Sequence, residues 1–278
     1  MLRILMIATA LLASAATAAP ARYQMTAGEE AIVVRALNRG AVIYAYDQAA
    51  WHGTDDMVTK LPNYQNVVGG WIVDGPADTP ELVFFDRNEA APHAVYVADF
   101  KDNKLVSSRV LGAGDDSHLT PERLRMISAR EAAIKALLAS GEPRCKDKPY
   151  NSVVLPPETP GGPMLVYLLT PQTSNDSLPF GGHYLTEVSA DGKVGPFRHF
   201  TKTCAEFPIR GDGKGKGEAD ALVITHLLDP VPTEIHVFSS LSIHKRLYVL
   251  TADDRTWRVE GGQIYLIDSG KVKKTKAH

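Results

Sequence analysis

The sequence predicts an α+β fold: an antiparallel, β-rich N-terminal part, a linking helix, and a C-terminal part with a mixed β-sheet, helices and one disulfide. Three observations carry that reading. Short apolar, β-branched runs recur between turn residues in both halves. One strongly signalled helix, capped at Thr120 and stopped at Gly141, lies between them. The two cysteines, Cys145 and Cys204, both follow that helix.

Taken in order, Met1-Leu2-Arg3 is a cationic start, Ile4 to Ala15 an uncharged apolar run, and Ala16-Thr17-Ala18 a small-x-small cleavage pattern. This layout is that of a bacterial-type secretory signal peptide over residues 1–18, and it implies a periplasmic or secreted protein. The apolar run is too short for a transmembrane helix, and no comparable run follows it. No integral membrane segment is therefore expected after cleavage.

The β-rich N-terminal part is expected over 19–118. Thr26-Ala27-Gly28-Glu29 reads as a capping box for a helix to Asn38, stopped by Gly40, while the β-branched run Ile32-Val33-Val34 leaves a strand as the alternative. Ala41 to Tyr46 reads as a strand, followed by strands at Gly70–Val73, Glu81–Phe85, His93–Phe100 and Leu105–Leu111. Thr120, Pro121 and Glu122 suit N-cap, N1 and first-turn positions, and Leu124, Ile127, Ile134 and Leu138 recur at helical spacing.

The C-terminal part is expected over 119–270. Strands are read at Met164–Leu169, Gly182–Val188, Phe197–Cys204 and Ala221–Leu227, then a helix capped by Thr233, then a closing meander from Leu247. Gly211–Gly217 reads as a flexible loop and 271–278 as a solvated basic tail.

Charge excludes one class of function. Of 30 Lys and Arg residues Arg3 leaves with the leader, so 29 face 32 acidic residues, a net of −3. That chain lacks the basic field nucleic-acid binding needs. Export places Cys145 and Cys204 in an oxidising compartment, where they are expected to pair.

The densest chemistry lies between Thr225 and His236, where His226, Asp229, Glu234 and His236 fall within twelve residues at a strand-to-helix corner. Imidazole and carboxylate together suit zinc. A structural reading gives His226 to the core, Asp229 to a turn and Glu234 to the helix start. Trp51-His52-Gly53-Thr54-Asp55-Asp56 reads as a loop, and Asp115-Asp116-Ser117-His118 holds the residue types of a triad without the sequence separation triads show.

From about Leu119 to Asp268 the chain resembles the JAB/MPN metalloprotease-like domains. The apolar run Val223-Ile224-Thr225 leads into His226-Leu227-Leu228 where that family has His-x-His. Pro232-Thr233-Glu234-Ile235-His236 stands where it has Pro-Ser-x-x-Asp. The resemblance implies the fold, and with it a zinc-dependent hydrolase using His226, His236 and one or two of Asp229 and Glu234. The residues alone favour a non-catalytic binding or structural protein without cofactor, its partner unspecified.

Overall fold

The computed structural model describes residues 25–174, 176–210 and 220–267. The expected leader, the glycine-rich segment 211–217 and the basic tail lie outside these residues.

Helix α1 (Ala27–Lys60) starts at the capping box read from the sequence: the Glu29 amide donates to Thr26 Oγ1 at 3.2 Å, and Thr26 N–H donates to Glu29 Oε2 at 2.8 Å. It does not stop at Gly40. It runs through the expected strand at 41–46 and the expected loop at 51–56 as one element of 34 residues. The reason is packing. A Cβ on Gly40 would sit 2.5 Å from Val237 Cβ and 2.8 Å from the Glu234 carbonyl. Gly40 is thus a contact point between two helices, not a cap. Gly53 does the same against the first sheet, where a Cβ would lie 2.1 Å from Leu82 Cδ2.

After the short helix α2 (Tyr64–Val67), strands β1 (Val68–Asp74), β2 (Glu81–Asp86), β3 (Ala94–Lys101) and β4 (Lys104–Val110) form an antiparallel meander, as the turn spacing predicts. Helix α3 (Pro121–Ser140) follows, with Thr120 Oγ1 accepting from the Arg123 amide and Gly141 in the left-handed conformation beyond its end. Its buried face is Met126, Ile127, Ala129, Arg130, Ala133 and Leu137. The face read from large aliphatics is therefore rotated: Leu124 and Leu138 are exposed. Small alanines, invisible to a count of bulky residues, let α3 approach the sheets.

Strands β5 (Asn151–Leu155), β6 (Met164–Leu169), β7 (Ser177–Pro179), β8 (Tyr184–Val188) and β9 (Arg198–His199) come next. A second antiparallel sheet has the order β5-β6-β8-β9, while β7 pairs with β10 (Glu206–Pro208). The strand expected at Phe197–Cys204 is only two residues long, because the chain turns there toward the disulfide. Then β11 (Ala221–His226), α4 (Glu234–Ile243) and β12 (Arg246–Thr251) form a parallel crossover, with β13 (Thr256–Glu260) and β14 (Gln263–Ile267) added antiparallel.

The two meanders touch along β1 and β5, and α3 packs over that seam. Both faces of β5 and β6 are buried. Val153, Leu155, Leu165, Tyr167 and Leu169 join one core with α1, α4 and the third sheet; Val154, Met164, Val166 and Leu168 join another with α3. The boundary expected at 118/119 falls between β4 and α3, and both cores draw residues from either side of it.

Cys145 and Cys204 are joined, their Cα atoms 5.3 Å apart. The bond ties the segment leaving α3 to the approach to β10. Gly182, at φ +74°, passes beneath it; a Cβ there would lie 2.5 Å from Cys145 Sγ.

Two outcomes are expected. Gly40→Ala gains about 1 kcal/mol of helix propensity but forces α1 from α4, an overpacking loss of about 1–3 kcal/mol. Urea unfolding should show net destabilisation; a more stable variant would show that the helices do not meet there. Cys204→Ser removes a cross-link over 59 residues, worth up to about 4 kcal/mol on chain entropy. Its midpoint should fall well below that of the oxidised parent and match the parent's under reductant.

Candidate functional site

Where α1 crosses the seam it leaves a cavity of about 850 Å³. One wall is α1 itself, contributing Asp47, Gln48, Ala50, Trp51, Thr54 and Met57 at helical spacing. Tyr64 and Gln65 of α2 continue that side. Opposite stand Trp71 and Phe84 of the first sheet, Asn151 and Ser152 of β5, and Thr170 and His183 beyond β6. Phe238 and Ser242 of α4 close one end, and exposed Arg87 stands at the rim. Aromatic rings with a few convergent polar groups make the usual lining of a small-molecule site.

Polar contacts brace the seam. Arg130 reaches across from α3, its Nε donating to Ser152 Oγ at 2.8 Å and its guanidinium lying 4.9 Å from the centre of the Trp71 ring. Gly70 permits this, since a Cβ there would meet Arg130 Nη1 at 2.9 Å. Burial lowers the Arg130 pKa, but Glu131 beside it supplies a counter-charge. His183 is fixed on both nitrogens: Nδ1 accepts from the Thr170 amide at 3.1 Å and Nε2 lies 3.1 Å from the Pro179 carbonyl. Burial pushes its pKa down to about 4, so it lines the cavity as a neutral ring.

One lining donor is left without a partner, and one lining carboxylate without a counter-charge. Trp71 Nε1 is a buried donor with no hydrogen-bond partner. Asp47 is half-buried, and burial pushes its carboxyl up to about 6 against a single hydrogen bond from Asn151. Asp47 forms no ion pair among the described residues. Other inward carboxylates are treated differently: Asp74 is held by Arg123 at 2.8 Å, and Glu234 by the partners described next.

The strand-to-helix corner at 226–236 is a separate place. His226 and His236 do meet, with ring centres 4.7 Å apart, edge to face. His226 Nε2 lies 2.9 Å from Asp229 Oδ2, whose other oxygen accepts from Arg198 at 2.9 Å. Burial alone would raise the Asp229 pKa; the His226 hydrogen bond and the Arg198 charge outweigh it and hold the carboxyl low. Glu234 turns away from the imidazoles. It accepts from Tyr167 Oη at 2.9 Å and sits 3.5 Å from Arg198 and 3.9 Å from Arg39.

His236 acts as the third residue of a helix cap. Its Nδ1 accepts from the Thr233 backbone N–H at 3.0 Å, the role a Glu fills in an ordinary capping box. Burial keeps this ring neutral, and an accepting Nδ1 leaves the proton on Nε2. A metal at Nε2 would require that proton to move to Nδ1, against a fixed N–H donor. Among the described residues no three His, Cys, Asp or Glu side chains are grouped to hold a metal ion. As arranged, His226 is spent on Asp229, Asp229 also on Arg198, and Glu234 on Tyr167, so the four side chains do not converge on one point, while the buried His236 Nε2 is left without a hydrogen-bond partner among the described residues.

Two smaller sequence features also resolve. Asp116 and His118 pair at 2.9 Å on the open surface, and the intervening Ser117 gives only its carbonyl, to the Ala94 amide. Asp56, within α1, accepts from Tyr96 and Ser108 at 2.7 and 2.6 Å, so it anchors the helix to the first sheet.

Among the described residues no helix is long and apolar enough to cross a membrane. No protein-family model, no curated protein and no solved structure matches the chain.

A carboxyl with a raised folded-state pKa binds its proton more tightly folded than unfolded. The penalty is complete above about pH 6 and gone below the ordinary carboxylate value near 4. Asp47→Asn should therefore stabilise the protein at pH 7, by up to about 3 kcal/mol for a shift of two units. That gain should shrink toward zero at pH 4. Urea unfolding at both pH values measures it, and destabilisation at pH 7 would contradict the placement of Asp47.

Proposed function

We propose that the chain is an exported, non-catalytic binding protein whose ligand occupies the cavity between α1 and the seam of the two meanders. The observation that carries this reading is the cavity itself. Its space of about 850 Å³, open to solvent on one side, is large enough for a small molecule, and its lining combines aromatic faces with amides and hydroxyls. Two lining groups point the same way: the buried Trp71 N–H has no partner, and the half-buried Asp47 has an amide but no counter-charge, so a ligand would recover free energy at both. The disulfide supports export, because such bonds persist in oxidising compartments.

The alternative, a zinc-dependent hydrolase of JAB/MPN-like fold, keeps one supporting observation: the contact between the His226 and His236 rings. Elemental analysis of untagged protein separates the two readings. Stoichiometric zinc that disappears in His226→Ala would favour the hydrolase.

Binding can be read with N-phenyl-1-naphthylamine, an uncharged aromatic dye whose emission rises on leaving water. One saturable site is expected, with energy transfer from Trp51 and Trp71, which line the cavity. Ala50→Trp fills the cavity from the helix side and should abolish the signal while circular dichroism stays unchanged. Absence of saturable binding to the parent, or undiminished binding to the folded variant, would overturn the proposal.

A further inference from the structure

We infer that the cavity selects an organic cation, a protonated amine on an aromatic or apolar body, with Asp47 as its counter-charge. This rests on the cavity being the ligand site. The argument is one of missing compensation. An ionised carboxylate taken out of water needs a cation or several hydrogen bonds. The fold supplies such partners elsewhere: Arg123 to Asp74, Arg198 to Asp229, and Arg39 with Arg198 to Glu234. To Asp47 it supplies the Asn151 amide.

The surroundings of Asp47 suit a cation. His183 is neutral, with both nitrogens engaged, so it adds no positive charge to the cavity. Trp51, Tyr64, Trp71 and Phe84 present π faces or edges around the same space, and π faces attract ammonium groups. Arg130 approaches Trp71 from α3 and has Glu131 as its own counter-charge. Arg87 is exposed at the rim and donates to the Gln65 carbonyl at 2.6 Å, where solvent screens it. The buried Trp71 N–H adds a donor for an acceptor atom on the ligand body.

The test is displacement of N-phenyl-1-naphthylamine by two compounds of one shape, 2-phenylethylammonium and 2-phenylethanol. The parent should yield the dye to the ammonium at a concentration at least about tenfold lower, the range of a charge-assisted over a neutral hydrogen bond. Asp47→Asn should keep the dye and lose the preference. If the parent binds the dye but yields it equally to the alcohol, or if Asp47→Asn keeps the preference, the cation inference fails and the cavity reading stands. If the parent binds no dye, the cavity reading fails and the inference with it.

Discussion

The contact of α1 with α4 at Gly40 governs the rest of the molecule. Because residue 40 has no side chain, the two helices meet backbone to side chain at Val237. That contact fixes where the N-terminal helix lies relative to the crossover of the third sheet. Its remaining turns then run past the first sheet, where Gly53 repeats the close approach against Leu82. Between the two glycines the helix lines the cavity with Asp47, Trp51 and Thr54. Polar groups could occupy these positions because the helix is already anchored on both sides of them.

Polarity is distributed by the same logic. Where the interior carries charge for structural ends, the charges are matched. Glu234 gathers Tyr167, Arg39 and Arg198; Asp229 gathers His226 and Arg198; His236 gives its acceptor nitrogen to the start of α4. The corner is dense in ionisable groups because it closes a helix start over a sheet edge. Its residue types resemble a metal site, yet His226 Nε2, His236 Nδ1 and both Asp229 oxygens are committed within the protein, and the buried His236 Nε2 is left without a partner among the described residues. At Asp47 the matching is incomplete, and the incompleteness faces a space large enough for a guest.

Much of this was legible in the sequence where signals are local. The capping box at Thr26, the Thr120-Pro121 start of α3, the turn spacing of β1 to β4 and the cysteine pair each act within a few residues or through compartment chemistry. The errors arise where a distant partner decides. Gly40 is a helix stop by local propensity and a packing site by its contact with Val237, 197 positions later. Once α1 was cut there, Asp47, Trp51 and Thr54 fell into a strand end and a loop. Their shared face, the strongest sequence signal of the cavity, could not be seen. Read as one helix, the stripe Asp47, Trp51, Thr54 would have stood out as polar and aromatic side chains on a face that should be apolar. At 226–236 the sequence shows the density of ligating residues but not which donor atoms are already bonded: the His226 and His236 rings meet, and His236 Nδ1 is held by the Thr233 amide.

The central claim is that a carboxyl without a counter-charge is held inside the cavity. Its most direct measurement is the titration of Asp47 by carboxyl carbon-13 NMR in the ligand-free protein, assigned through the Asp47→Asn variant. The account expects a midpoint near 6, where burial places it against one amide. A midpoint at or below the ordinary aspartate value near 4 would mean that Asp47 is solvated or paired, and would contradict the account.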